Sequence, residues 1–491
     1  MKKIKYTIAA FSLFLAIGCT SEDANFNDNR DAAYDVPAET LVANAQFELA
    51  SQMTTSSVNL SPFRYFTQYW AQTQYFQESR YNLTQRNIPV NFWNNLYRDV
   101  LGNLTTAETV IDQEAKPELQ TAAQFATQQA NKKAIIELMK VYTFQVLVDS
   151  FGDIPYSEAL DPSNVLPKYD DDAVIYPDLL VRIDNALAIL DPSAGSFTSG
   201  DVIYNGDVAG WIEFANSLKV KIGINLADVN SGLAKTAIES GVAAGVITEN
   251  SQNASFIFSS GPPNYNPIHA DLVASGRNDY VGSATIVNAL IALDDPRLAV
   301  YFQPVGGEPG TEYIGGVNGV ANLAQFFSGI GDALRAPDLA AQLFEATEMN
   351  FYLAEAAERG YSVGGSAESF YNDAITSSFE FWGLSTADAT TYLAQPEVAY
   401  ATAEGDWKKK IGTQAWLALF NRPFEAWTSI RRLDQPQIIA PTNAIAAAEG
   451  KMPNRLTYPT SEVTVNKANL DAAKAAIGGD KLQTKVFWDI F

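Results

Sequence analysis

The sequence predicts an all-α fold of packed helical pairs carrying long irregular loops. Three observations carry this expectation. Apolar residues recur at helical spacing through most of the chain. The clearest run, Ala122 to Phe151, is apolar almost all round through Ile135, Leu138, Met139, Tyr142, Phe144 and Leu147, as in a helix buried between others. By contrast, residues 250–335 and 434–465 are rich in Gly, Pro, Asn and Ser, which break helices and mark long loops on a rigid scaffold.

The chain opens with Met1-Lys2-Lys3-Ile4-Lys5, an apolar run from Ile8 to Ile17 and the small residues around Gly18. Basic, apolar and small-residue stretches in that order mark residues 1–18 as a secretory signal. The apolar run is too short to cross a hydrocarbon core of about 30 Å as a helix. Cys19, the only cysteine, follows directly. Its position resembles the lipobox of bacterial lipoproteins, which implies lipidation at Cys19 and a membrane anchor needing no transmembrane helix. Residues 19–35 are polar and acid-rich, the composition of a tether.

From residue 36 to 491 a single helical body is expected. Pro37-Ala38-Glu39-Thr40 opens a helix running through Leu49, and a second spans Asn91 to about Asp112. Ala122 to Phe151 is closed by Gly152 as its C′ residue, and Pro155 prevents resumption. Further helices are predicted at Tyr176–Leu190, Val208–Ala227, Ala284–Leu293, Leu339–Arg359, Ala367–Phe381, Gln414–Phe420 and Pro423–Leu433. A helix from Phe351 ending at Gly360, then an aromatic helix around Phe370-Tyr371, resembles one tetratricopeptide pair. No fixed 34-residue period recurs, so such a scaffold is degenerate. The uncharged stretch Tyr313 to Gly331 holds too much Gly and Asn for a membrane span.

Composition excludes several functions. With 33 basic and 56 acidic residues the net charge is −23, and removing the lysine-bearing signal makes it more negative. Such a surface repels phosphate backbones, so no nucleic-acid partner is expected. One cysteine permits no internal disulfide. The single histidine, His269, reads as a polar loop residue and leaves no room for His-rich metal sites. No G-x-S-x-G, H-E-x-x-H, P-loop or D-x-[DN]-x-[DN]-G stretch occurs. No catalytic set, cofactor or metal site is assigned.

Several motifs share an order. Trp93-Asn94-Asn95-Leu96-Tyr97-Arg98-Asp99-Val100 with Asn103 comes first, then Val148-Asp149-Ser150-Phe151-Gly152-Asp153-Ile154-Pro155. Trp211 with Phe214-Ala215-Asn216-Ser217-Leu218-Lys219 follows, then Asp294-Asp295-Pro296-Arg297-Leu298. Gln414-Ala415-Trp416 runs toward Glu425-Ala426-Trp427, and Phe487-Trp488-Asp489 closes the chain. Together they resemble the SusD/RagB family of nutrient-binding outer-membrane lipoproteins, in its SusD-like subgroup. The resemblance implies degenerate tetratricopeptide-like pairs whose long loops form a ligand face. It further implies a lipid-anchored, cell-surface protein that captures oligo- or polysaccharide and delivers it to a SusC-like TonB-dependent β-barrel transporter. Ser21-Glu22-Asp23 resembles the acidic surface-export signal of such lipoproteins. Oligopeptide capture, the RagB side of the family, is an alternative. A surface glycosidase is another, since two carboxylates suffice for that chemistry. Trp93, Tyr97, Trp211, Trp416 and Trp427 sit among apolar neighbours and read as core; Gly152, Asp295 and Pro296 read as turn and cap residues. Asp170-Asp171-Asp172 reads as a solvated run capping the next helix.

Sugar rings present apolar C–H faces and hydroxyls, so their sites pair aromatic platforms with hydrogen-bonding groups. Residues 61–81 are densest in both, with eight aromatics and the interleaved Gln68, Gln72, Gln74 and Gln77. Phe63, Phe66 and Trp70 fall on one face if the segment is helical, and about half of the aromatics are expected in the core. Trp70, Gln74, Tyr75 and Tyr81 are the ligand candidates here. The loops after Phe258 supply Tyr265, Arg277, Asn278 and Tyr280. Arg277 suits a carboxylated ligand, but one arginine does not establish an anionic one.

Overall fold

The computed structural model describes residues 36–491; the expected signal and tether, with Cys19, lie outside the described residues. Helix α1 (Ala38–Thr54) packs on α2 (Gly102–Gln113). The predicted Asn91 helix is one helical run from Ile88 into α2, with a π-helical stretch at Asn95–Leu101. Helix α3 (Ala122–Phe151) has both of its predicted ends. Thr121 accepts the Gln124 N–H at 3.2 Å while Gln124 accepts the Thr121 N–H at 3.0 Å, a reciprocal cap. At the other end Gly152 takes φ 78°, in the left-handed region, and donates to Val148 O at 2.8 Å.

Helix α4 (Asp172–Ile189) packs back on α3, and α5 (Val208–Leu226) on α6 (Ser231–Ala244). Helix α6 is unpredicted because Ser, Gly, Ala and Thr dilute its apolar stripe. Those small residues suit its place. A Cβ on Gly241 would stand 2.9 Å from Asn216 O of α5, and one on Gly223 2.8 Å from Ile238 of α6. The expected tetratricopeptide pair is the hairpin of α7 (Ala346–Glu358) and α8 (Ala367–Phe381), and α9 (Trp407–Ala418) with α10 (Pro423–Leu433) forms the last pair. Consecutive helical pairs therefore build the body, which forms one compact unit from Ala38 to Phe491. Among the described residues no helix is long and apolar enough to cross a membrane.

Buried charges tie the pairs together. Lys221 of α5 meets Glu425 of α10 at 2.6 Å and Glu348 of α7 at 3.3 Å. Arg422, just before α10, pairs with both acids. Trp93, Trp211, Trp416 and Trp427 are core, as expected, and Trp488 joins them; four of these five indoles have a hydrogen-bond partner. Trp211 donates to Asp201, Trp416 to Thr67 O, Trp427 to Pro453 O and Trp488 to Asp149. Arg297 of the D-P-R turn is fully buried and paired with Asp295 at 2.6 Å.

Strands are short and pair across long sequence separations: β1 (Trp70–Gln72), β2 (Ile154–Pro155), β3 (Tyr169–Asp170), β4 (Ala254–Phe256), β5 (Tyr280–Gly282), β6 (Phe302–Val305), β7 (Ser328–Ile330) and β8 (Ala341–Phe344). They form the antiparallel pairs β1–β5, β2–β3, β4–β8 and β6–β7. Strand β8 corrects one expectation. The predicted helix from Leu339 begins only at Ala346, because residues 341–344 pair with β4 instead.

Candidate functional site

The aromatic segment 61–81 is not one helix. Phe63–Phe66 makes a single helical turn, closed by the Thr67 hydroxyl donating to Phe63 O at 2.9 Å. Gln68 then takes φ 52° and turns the chain into β1. Strand β1 pairs with β5 in the register Trp70 opposite Gly282 and Gln72 opposite Tyr280. Phe63, Phe66 and Trp70 therefore share no helical face. Six of the eight aromatics are buried, so the segment is more core than its composition suggested.

Trp70 is the main correction. It is 0% exposed, so it is not a platform for a ligand. Its ring lies 5.3 Å from that of Tyr280, and the Arg64 guanidinium sits 4.5 Å from its centroid. Tyr81 is likewise fully buried, held at φ 66° with its ring 5.6 Å from Phe66. Tyr265 is half-buried against His269, 5.1 Å between rings, and lines neither recess described below. His269 is structural: its Nδ1 is 2.7 Å from Arg335 O, and a carbonyl partner places the proton on Nδ1.

The remaining candidates converge. Beyond β1 the chain is stitched to the Arg277–Tyr280 segment. Thr73 donates through N–H to Asp279 O (2.9 Å) and through its hydroxyl to Asn278 O (2.8 Å). Gln74 Nε2 donates to Asp279 Oδ1 at 3.1 Å, and Arg277 pairs with Asp279 at 2.6 Å. Tyr75 stands 60% exposed at φ 54°, its ring 5.8 Å from the Arg86 guanidinium. Gln72, Gln74, Tyr75, Arg86, Asp271 and Tyr280 line a recess of about 110 Å³. Arg277 and Tyr280 also line an adjoining recess of about 650 Å³, completed by Asn278, Gln303, Gln325, Phe327 and Arg335. That volume lies in the usual range for ligand sites.

The second wall was missed in the sequence. It comes largely from the Gly- and Asn-rich stretch 313–331, where the signals available were the lack of charge and the short run Gln325-Phe326-Phe327. Two asparagines staple this stretch to β1: Asn318 donates to Trp70 O at 3.0 Å and Asn322 to Gln72 O at 2.9 Å. Burial raises the Tyr280 phenol well above its ordinary value, and the Asp271 and Asp279 carboxylates add to this. Burial likewise raises Asp271, against the Ser56 hydroxyl that donates to it at 2.7 Å.

A separate carboxylate cluster joins Asp153, Asp171 and Asp172, with ligand atoms within 4.8 Å of one another. Local hydrogen bonds account for it. Asp171 caps α4 by accepting the Ala173 N–H at 2.9 Å, as expected. Asp172 is buried rather than solvated and accepts the Phe487 N–H at 3.0 Å, while Asp153 accepts the Asp172 N–H at 3.1 Å.

The sequence matches the SusD-like family described as "Starch-binding associating with outer membrane" over residues 29–459. A solved chitin-binding protein superposes with TM-score 0.79 at 26% identity, covering 92% of this chain and 100% of that one. A chitin-binding SusD homolog from Flavobacterium johnsoniae gives 0.77 at 26% identity, with 92% and 98% covered. A SusD homolog from Bacteroides uniformis gives 0.76 at 25% identity, with 92% and 99% covered. A search of curated proteins finds no match. The helical pairs, the ordered motifs and the family match over most of the chain agree: the chain belongs to the SusD-like family.

Proposed function

We propose that this protein is a non-catalytic receptor that captures an oligo- or polysaccharide in the two recesses flanking Tyr280. The observation that carries the reading is their composition: exposed Tyr75 and a Phe327-lined wall beside the amides of Gln72, Gln74, Asn278, Gln303 and Gln325. An aromatic face takes the C–H side of a sugar and amides take its hydroxyls. Two solved relatives of the same fold are described as chitin-binding, which supports the same class of ligand. The carboxylates in the smaller recess are engaged structurally, Asp279 by Gln74 and Arg277 and Asp271 by Ser56, which favours binding over hydrolysis.

In this reading Cys19 carries the lipid that holds the protein at the outer membrane, and the glycan passes to a SusC-like TonB-dependent transporter. The family's described association with the outer membrane supports this placement. Calorimetry of the chain from Thr20 onward against soluble glycans and an oligopeptide pool tests the ligand class. Glycan binding with an unchanged product profile after incubation is expected; peptide binding alone or glycan breakdown would contradict it. Cys19→Ala is expected to abolish fatty-acid labelling, and the transporter is expected to co-purify with the lipidated protein.

A further inference from the structure

The larger recess carries charge of one sign. Among its described lining residues the charged side chains are Arg277 and Arg335, with no carboxylate and no lysine. This is on a chain of net charge −23. An anion bound in this cavity would therefore meet guanidinium groups and no carboxylate among its described lining residues. Their own acids lie off that wall. Asp279 lines the smaller recess, and Asp332 is 86% exposed and already accepts from Gln303 at 2.8 Å.

Neither guanidinium is used up by these acids. Arg277 meets Asp279 through Nε, and Arg335 reaches Asp332 only at 3.6 Å, beyond hydrogen-bond distance. Each guanidinium has five N–H donors in a planar fork, so donors remain for a second oxyanion. The backbones carrying them are fixed. Thr73 holds the Arg277 segment at Asn278 O and Asp279 O, and His269 holds Arg335 O. The fork matches carboxylate and sulfate oxygens better than a neutral hydroxyl, while Asn278, Gln325 and Phe327 remain for hydroxyls and ring faces.

We infer that the glycan received here is anionic, with uronate or sulfate groups gripped by Arg277 and Arg335. This rests on the glycan reading above. A peptide carboxylate would satisfy the same fork, but the amide and aromatic wall around it favours a sugar.

The test is calorimetry with four probe sets: oligogalacturonides for carboxylate, carrageenan oligomers for sulfate ester, neutral chito- and malto-oligosaccharides, and a peptide pool. Binding of at least one anionic set is expected, weakening steeply as salt rises from ~50 to ~500 mM. Arg277→Gln and Arg335→Gln are each expected to weaken it about tenfold or more. Arg277→Lys should recover only part, because it keeps charge but loses the fork. Lys467→Gln, which removes a positive charge paired with Asp471 outside both recesses, should leave affinity within about twofold. Binding of neutral glycans alone, or anionic binding indifferent to both arginine variants, would overturn this inference and leave the glycan receptor standing. Peptide binding with no glycan binding would overturn both.

Discussion

The indole of Trp70 lies beneath the ring of Tyr280, 5.3 Å between centroids, across the β1–β5 pair. Tyr280, 6% exposed, lines both recesses, so a fully buried tryptophan supports the residue that joins them.

Trp70→Ala should therefore act through the fold. Emptying so large a buried site costs about 3–5 kcal/mol and removes the surface against which Arg64 packs. Among the described residues the Trp70 indole N–H has no hydrogen-bond partner. Trp70→Phe should then lose less than half as much. Denaturant unfolding of both variants checks this ordering; equal losses would mean that a phenyl ring recovers none of the packing and would contradict it.

Tyr75→Ala should do the opposite. The side chain is exposed and leaves no buried cavity when removed. Stability is expected to stay within about 0.5 kcal/mol, while glycan affinity falls about five- to tenfold through loss of one aromatic platform. Thermal unfolding and calorimetry on the same preparation separate the two effects.

Asn322 is expected to control the shape of the recess without lining it. It is 2% exposed, donates to Gln72 O, Val317 O and Val320 O, and accepts the Val317 N–H at 2.8 Å. Asn322→Ala takes the side-chain partner from Val317 N–H, Val317 O and Val320 O and leaves Gln72 O only the residue-322 backbone N–H at 3.2 Å, at about 1–3 kcal/mol. Faster amide exchange at Gln72 to Gln74 and in residues 313–327, with weaker ligand binding, is the expected pair of results.

The Asp153–Asp172 pair should imprint a pH dependence on stability. Burial raises Asp153 to about 6 and Asp172 to about 7, with neighbouring carboxylates adding to both. A carboxyl whose folded value lies above its unfolded one favours folding at low pH, and that contribution is lost as pH rises from about 4 through about 7. Asp172→Asn should thus match the wild type near pH 4 and unfold about 1–3 °C higher above pH 7.5. Melting curves across that range read the difference directly.

What the sequence made legible was local. The ends of α3 are written in Thr121, Gln124 and Gly152, and the core tryptophans sit at apolar helical positions. What it hid was non-local. Residues 341–344 have helical neighbours on both sides, yet they pair with β4, some 90 residues earlier. Trp70 follows Phe63 and Phe66 at helical spacing, but Gln68 turns the chain and the partner of β1 begins at Tyr280. Aromatic density marked the right neighbourhood without separating exposed Tyr75 from buried Trp70 and Tyr81. Burial of those two depends on β5 and on Phe66 packing. The wall holding Phe327 and Arg335 carried only the short Gln325-Phe326-Phe327 signal, diluted by Gly and Asn that resemble those of any loop.

The most direct test of the central claim is calorimetry of the chain from Thr20 onward with soluble glycans, run in parallel on wild type and Tyr75→Ala. The expected result is saturable binding of a glycan by the wild type and a clear loss of affinity in the variant at an unchanged melting temperature. Glycan binding of equal strength in both, or binding of peptides with none of the glycans, would contradict it.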